Sequence, residues 1–155
     1  MRKFVIDTSS LIDLEKYYPY NVFPSLWEFL FEMFDEGKLF SVKEAYEELK
    51  DSQEIWKDYK KCFRDLNDEE TEYLSEIMSL DKFEPFRKKG FENTNGGPWA
   101  DPYLVACGIA DDTITVVSQE SSRKHPQSVI PYVCGEYNVP CIKFLDFLRE
   151  NNFKI

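Results

Sequence analysis

Phe4-Val5-Ile6 is apolar at consecutive positions, with no alternation of polar residues between them. A strand of that kind is buried on both faces, so it belongs in a parallel sheet between helices. TITVVS at 113–118 is the clearest strand in the chain. KLFSV at 38–42 and VPCI at 139–142 add two shorter ones. Helical spacing fills the intervals, over 9–17, 25–37, 43–51, 53–64 and 67–80, and again after Asp101 and over 144–151, with a helix or turn at 129–137. The order is strand, helices, strand, helices, strand, helix, strand, helix. It predicts an α/β fold in which helices cover a small parallel sheet.

Local signals refine the elements. Ser25 and Glu28 stand in capping-box register at the head of SLWEFLFEMFDEG, a segment apolar nearly all round and therefore expected deep in the fold. Gly37 ends it. Asn67 and Glu70 repeat the capping-box spacing, and Asp101-Pro102 reads as an N-cap followed by a first-turn proline. Residues 81–100, with Pro85, Gly90, Asn93, Asn95, Gly96, Gly97 and Pro98, are expected to form a mobile loop around a weak strand. No internal repeat or domain boundary stands out, so residues 1–155 read as a single domain.

Bulk properties narrow the function. No apolar stretch approaches the roughly 20 residues that span a bilayer. The N-terminus meets Asp7 after a short apolar run, unlike a signal peptide. Cys62, Cys107, Cys134 and Cys141 have no zinc or CxxC spacing and read as reduced core residues of a cytoplasmic protein. His125 is the single histidine, which leaves little room for histidine catalysis. The formal net charge of −10 argues against strong non-specific nucleic-acid binding, though not against a local basic patch.

Part of that acidity falls in telling places. Asp7 and Glu120 each follow a strand, Asp101 heads a helix, and Glu48 lies in a helix that follows a strand. In open α/β sheets, ligands bind beyond the carboxyl ends of the strands, so these four acids can share one site. Like charges crowd together only when a cation offsets them, and an all-carboxylate set suits Mg²⁺ or Mn²⁺. Each acid also has a plain structural role open to it. Asp7 and Asp101 can cap helices and Glu120 can be a solvated turn residue. Glu44 stands in capping-box register with Ser41, which favours Glu48 over Glu44 as the second acid of the site.

These segments resemble a PIN domain, the metal-dependent ribonuclease fold of VapC-type toxins and several RNA-processing nucleases. FVIDTSSLIDL is similar to the family's opening strand and first acid, Asp7, followed by Thr8 and Ser9. SVKEAYEEL resembles the second motif with Glu48 before Leu49, and ADPYLVACGIA resembles the helix bearing the third acid, Asp101. TVVSQE resembles the strand before the last acid, with Glu120 where the family more often has Asp. IPYVCGEYNVPCIKFLDFLRE is similar to the end of a PIN-like subfamily of uncharacterised prokaryotic proteins. The resemblance implies a three-layer α/β/α fold and hydrolysis of RNA phosphodiesters. It implies Mg²⁺ or Mn²⁺ held by Asp7, Glu48, Asp101 and Glu120, with Thr8 or Ser9 bonded to an acidic ligand. It also implies an antitoxin partner and a homodimer, if the chain is a toxin.

Substrate contacts are sparser. Arg123, Lys124 and His125 follow Glu120 closely and can meet phosphates, as can Arg87, Lys88 and Lys89, although a solvated surface is the plainer role for both groups. Lys57, Lys60, Lys61 and Arg64 form a basic helical face, and Trp99 either stacks a base or packs on the helix beneath it. A non-catalytic PIN-like module binding protein or RNA is the alternative to the enzyme. A phosphatase of the haloacid dehalogenase type ranks below both, because Ser9 stands where that family needs a second aspartate.

Overall fold

The computed structural model describes residues 1–121 and 126–155. Five parallel strands form one sheet in the order β3-β2-β1-β4-β5. They are β1 (Lys3–Ile6), β2 (Leu39–Val42), β3 (Phe63–Arg64), β4 (Ile114–Val117) and β5 (Cys141–Ile142). Nine helices occur among the described residues: α1 (Thr8–Tyr17), α2 (Pro24–Asp35), α3 (Lys43–Glu48), α4 (Gln53–Trp56), α5 (Asp68–Ile77), α6 (Glu84–Thr94), α7 (Asp101–Ala110), α8 (Ile130–Glu136) and α9 (Phe144–Glu150). Together they make a three-layer α/β/α arrangement. Among the described residues no helix is long and apolar enough to cross a membrane.

The central strand β1 is flanked by β2 and β4 in register, Val5 opposite Phe40 on one side and Val116 on the other. Phe4, Val5 and Ile6 are all buried, as their unbroken apolar run requires. On the face of Phe4 the sheet meets α9 and α2: the rings of Phe4 and Phe147 lie 5.0 Å apart, and Phe29 reaches the same ring. On the face of Val116 it meets α7. A Cβ added at Gly108 would stand 2.5 Å from Val139 and 3.4 Å from Val116, so only glycine lets α7 lie this close. Residues 104–108 of α7 are buried without interruption, because the helix is enclosed by the sheet, α5 and α8. That accounts for a sequence there with little amphipathic character.

Several local expectations are corrected. Helix α2 begins at Pro24 with Phe23 as its N-cap and no side-chain cap, so the Ser25–Glu28 box does not form. Proline at the first helical position has no N–H to satisfy, which removes part of the need for it. The helix also carries an exposed strip of Glu28, Glu32 and Asp35 and is not enclosed. Gly37 terminates it at φ +72°, with the Lys38 N–H reaching back to Met33. The Asn67–Glu70 box does form at the head of α5.

The helix expected over 53–64 is broken. Trp56 is fully buried and stacks on Trp27 at 5.3 Å, and the chain then tightens into a 3₁₀ stretch, Lys57–Cys62, that delivers Phe63 into β3. The supposed basic helical face is therefore not one face. Arg64 forms a paired contact with Glu70, both nitrogens at 2.8 Å. Helix 43–51 is likewise shorter, ending at Glu48 before a 3₁₀ turn. Residues 84–94, expected in a loop, form α6: Pro85 sits in its first turn, and Asn95 ends it in the left-handed region at φ 52°. Gly90 leaves the notch into which Trp99 packs, since any Cβ there would overlap the indole ring.

Candidate functional site

From β1 the chain proceeds outward to β2 and β3 on one side and, through β4, to β5 on the other. The gap between the carboxyl ends of β1 and β4 is thus the point where the winding direction reverses, the usual place for a ligand in an open α/β sheet. Asp7 lies there as the residue after β1. Its backbone N–H bonds Val117 at 3.0 Å, which extends the ladder to the sheet edge. Its Oδ2 accepts from Ser9 Oγ at 2.6 Å and from Ser118 Oγ at 2.7 Å, and its Oδ1 accepts from the Ser10 N–H at 2.8 Å. Asp7 therefore does cap α1, and the same carboxylate is tied across the gap to β4.

The other acids converge on it. Glu48, at the last turn of α3, accepts from the Ala100 N–H at 2.6 Å and so closes the head of α7. That bond helps explain why Asp101 is not a cap. Ala100 occupies the N-cap position without a side-chain cap, and Asp101 is the first helical residue. Glu120, beyond β4, accepts from the Ile130 N–H of α8 at 2.7 Å, and its own N–H bonds Ser118 Oγ at 3.1 Å. Asp101 and Glu120 are close enough to influence each other's charge, and Trp99 stabilises the charged form of Asp101.

The four carboxylates act on one another's charge. Burial pushes Asp101 well above the usual carboxylate range, and Glu120, Asp7 and Glu48 all raise it further. Glu48 is pushed up to about 7, first by burial, then by Asp7 and Glu120, against the opposing pull of the Ala100 N–H. Burial likewise raises Glu120, countered by the Ile130 N–H and the Lys89 ammonium. Burial raises Asp7 even though Ser10, Ser9 and Ser118 steady its charged form. Two buried hydroxyls here, Thr8 Oγ1 and Ser10 Oγ, complete no hydrogen bond, although Thr8 approaches Glu48 closely enough to favour its charge.

The remaining candidates separate from this group. Glu44 has Glu47, Asp65 and Lys43 as its charged neighbours, and the box it was expected to form with Ser41 is absent, because Ser41 Oγ bonds the Ile6 carbonyl. Arg87 donates to the Ile77 and Leu80 carbonyls at the end of α5 and is structural. Trp99 packs on Phe86 with ring centres 4.9 Å apart. Arg123, Lys124 and His125 lie outside the described residues. Ser118 was not anticipated as a site residue. Its position directly after TITVVS, on the same sheet edge as Asp7, was the available signal.

A donor set of carboxylate and hydroxyl oxygens, without nitrogen or sulfur, fits a hard divalent cation. Among the described residues no three His, Cys, Asp or Glu side chains are already gathered in metal-ligating geometry. Asp7 accepts instead from Ser9 and Ser118, Glu48 from Ala100 and Glu120 from Ile130.

Fold and site together define an α/β protein with an acidic centre at the switch point of a parallel sheet. The chain belongs to the family described as a domain of unknown function, DUF4411, whose pattern matches residues 4–155. No curated protein and no solved structure matches it.

Proposed function

We propose that this protein is a PIN-type ribonuclease that hydrolyses RNA phosphodiester bonds with the help of Mg²⁺ or Mn²⁺. The observation that carries this reading is the state of Asp101, a buried carboxyl whose charge is opposed by Glu120, Asp7 and Glu48 together. Four separate segments supply these acids, and their mutual repulsion is unfavourable for the apoprotein. A bound cation removes that penalty.

Asp7, Glu48, Asp101 and Glu120 would hold the ion. When bound, it would activate water and stabilise the charge developing on the phosphate. The chain's own contribution is positioning. Ser9 and Ser118 fix one oxygen of Asp7, while the Ala100 and Ile130 N–H groups orient Glu48 and Glu120. Asp101 and Glu120 each oppose full ionisation, because burial raises both and the Glu120 charge disfavours that of Asp101.

A mixed single-stranded RNA incubated with the purified protein and Mn²⁺ or Mg²⁺ tests this. Cleavage that disappears in EDTA and in Asp101→Asn is the expected result. Glu120, where the PIN pattern more often has Asp, and the net charge of −10 favour one rival, a PIN-like module that binds without cleaving. Well-folded protein with no cleavage and no affinity for either ion would establish that rival instead.

A further inference from the structure

A cleft of about 670 Å³ lies between α6 and the short turn Pro126–Ser128. Its size is that of a ligand site, typically about 300–1,000 Å³. Lys88, Lys89 and Asn93 line it from α6, Gln127 and Ser128 from the turn, and Glu92 is the one acid in its wall among the described residues. On a chain of net charge −10, a hollow with two ammonium groups, two amides and one carboxylate is an exception to the surroundings. Pro85, Lys88 and Gln127 also border an adjoining hollow of about 500 Å³ whose wall adds Asp81, Glu84, Lys82 and the half-buried Tyr132, so the excess of positive charge belongs to the first hollow. The two hollows are therefore continuous along α6.

Two features place this groove beside the acidic centre. The Lys89 ammonium is near enough to Glu120 to favour its charged form. Trp99, seated in the notch at Gly90, fixes α6 against the segment that leads into Asp101. Lys82 pairs with Glu136 at 3.5 Å, so among the described residues Lys88 and Lys89 are the cations that line the first hollow.

We infer that the groove along α6 is a binding path for a single-stranded nucleic acid, with Lys88 and Lys89 contacting its phosphates beside the acidic centre. Tyr132 supplies a ring face on which a base can stack. The lysines act as positioning residues, drawing an anionic strand toward a centre that would otherwise repel it. This rests on the ribonuclease reading for its purpose, but the binding itself is separable from cleavage.

The test is fluorescence anisotropy of a labelled single-stranded RNA with the full chain in EDTA, so that no cleavage intervenes. Lys88→Gln/Lys89→Gln should weaken binding about tenfold and make the salt dependence shallower by about 1.4, as expected for two lost phosphate contacts on a single strand. Lys60→Gln/Lys61→Gln, away from the groove, should leave binding within about twofold. Equal binding by the Lys88/Lys89 variant overturns the inference, as does wild-type protein that fails to bind RNA or prefers a polyglutamate peptide. RNA binding that depends on the two lysines, without metal-dependent cleavage, leaves the groove standing and removes the nuclease reading. Metal-dependent cleavage with unchanged KM and RNA affinity in the double variant does the reverse.

Discussion

Glu48→Gln separates charge from structure at the acidic centre. Glu48 uses Oε1 to accept the Ala100 N–H at 2.6 Å, and a glutamine can accept the same bond. The substitution therefore keeps the closure of α7 and deletes one charge. In the folded protein Glu48 titrates at about 7, against an ordinary value of 4.5. Between those values the native state binds more protons than the unfolded chain, so stability falls as pH rises through the window. The penalty is absent below about pH 4.5 and complete above about pH 7. The gap corresponds to about 3 kcal/mol, reduced to ~2 kcal/mol because the side chain is only partly withdrawn from water. Urea unfolding in EDTA at pH 5 and pH 8.5 reads it directly. The two proteins should be nearly equal at pH 5, and at pH 8.5 the glutamine variant should be more stable by ~2 kcal/mol. Parallel pH profiles would refute the idea that burial and the neighbouring acids disfavour a charged Glu48.

Other outcomes follow from the same geometry. Mn²⁺ or Mg²⁺ should raise the melting temperature more at pH 8 than at pH 5, where protons compete for the carboxylates, and at a hundredfold excess over Kd the gain is about 2.7 kcal/mol; differential scanning fluorimetry checks this, with Asp101→Asn giving little response. Asp7→Asn should abolish cleavage and leave metal-free stability unchanged or raised, because an asparagine can still cap α1 through the Ser10 N–H. Asp7→Ala loses that cap and should fall about 1 kcal/mol below Asp7→Asn in chemical denaturation. Ser118→Ala removes the hydroxyl bridging Asp7 to the Glu120 N–H, so it should cost about 1–2 kcal/mol and lower metal affinity measured by titration calorimetry.

What could be read from the sequence was whatever lies in short local patterns. Phe4-Val5-Ile6 and TITVVS announce doubly covered strands, and these two pair along their full length in the structure. The position of an acid relative to a strand end is equally local, which is why Asp7 and Glu120 could be assigned to one sheet edge before any contact was known. Glu48 needed a different kind of argument, the competing cap at Glu44, and that cap does not form. Glu48 stands in the cluster for a non-local reason: its carboxylate satisfies the Ala100 N–H, a partner 52 residues away. The illegible parts share this property. A run of Gly, Pro and Asn at 81–100 carries every local mark of a loop, yet Gly90 is there to admit Trp99 and Pro85 to start a helix. Likewise the break at Trp56 answers to Trp27, far away in the chain. The groove beside α6 was hidden twice over, by the misread helix and by lysines that look solvated in sequence. Its walls exist only once α6 packs against the Pro126–Ser128 turn.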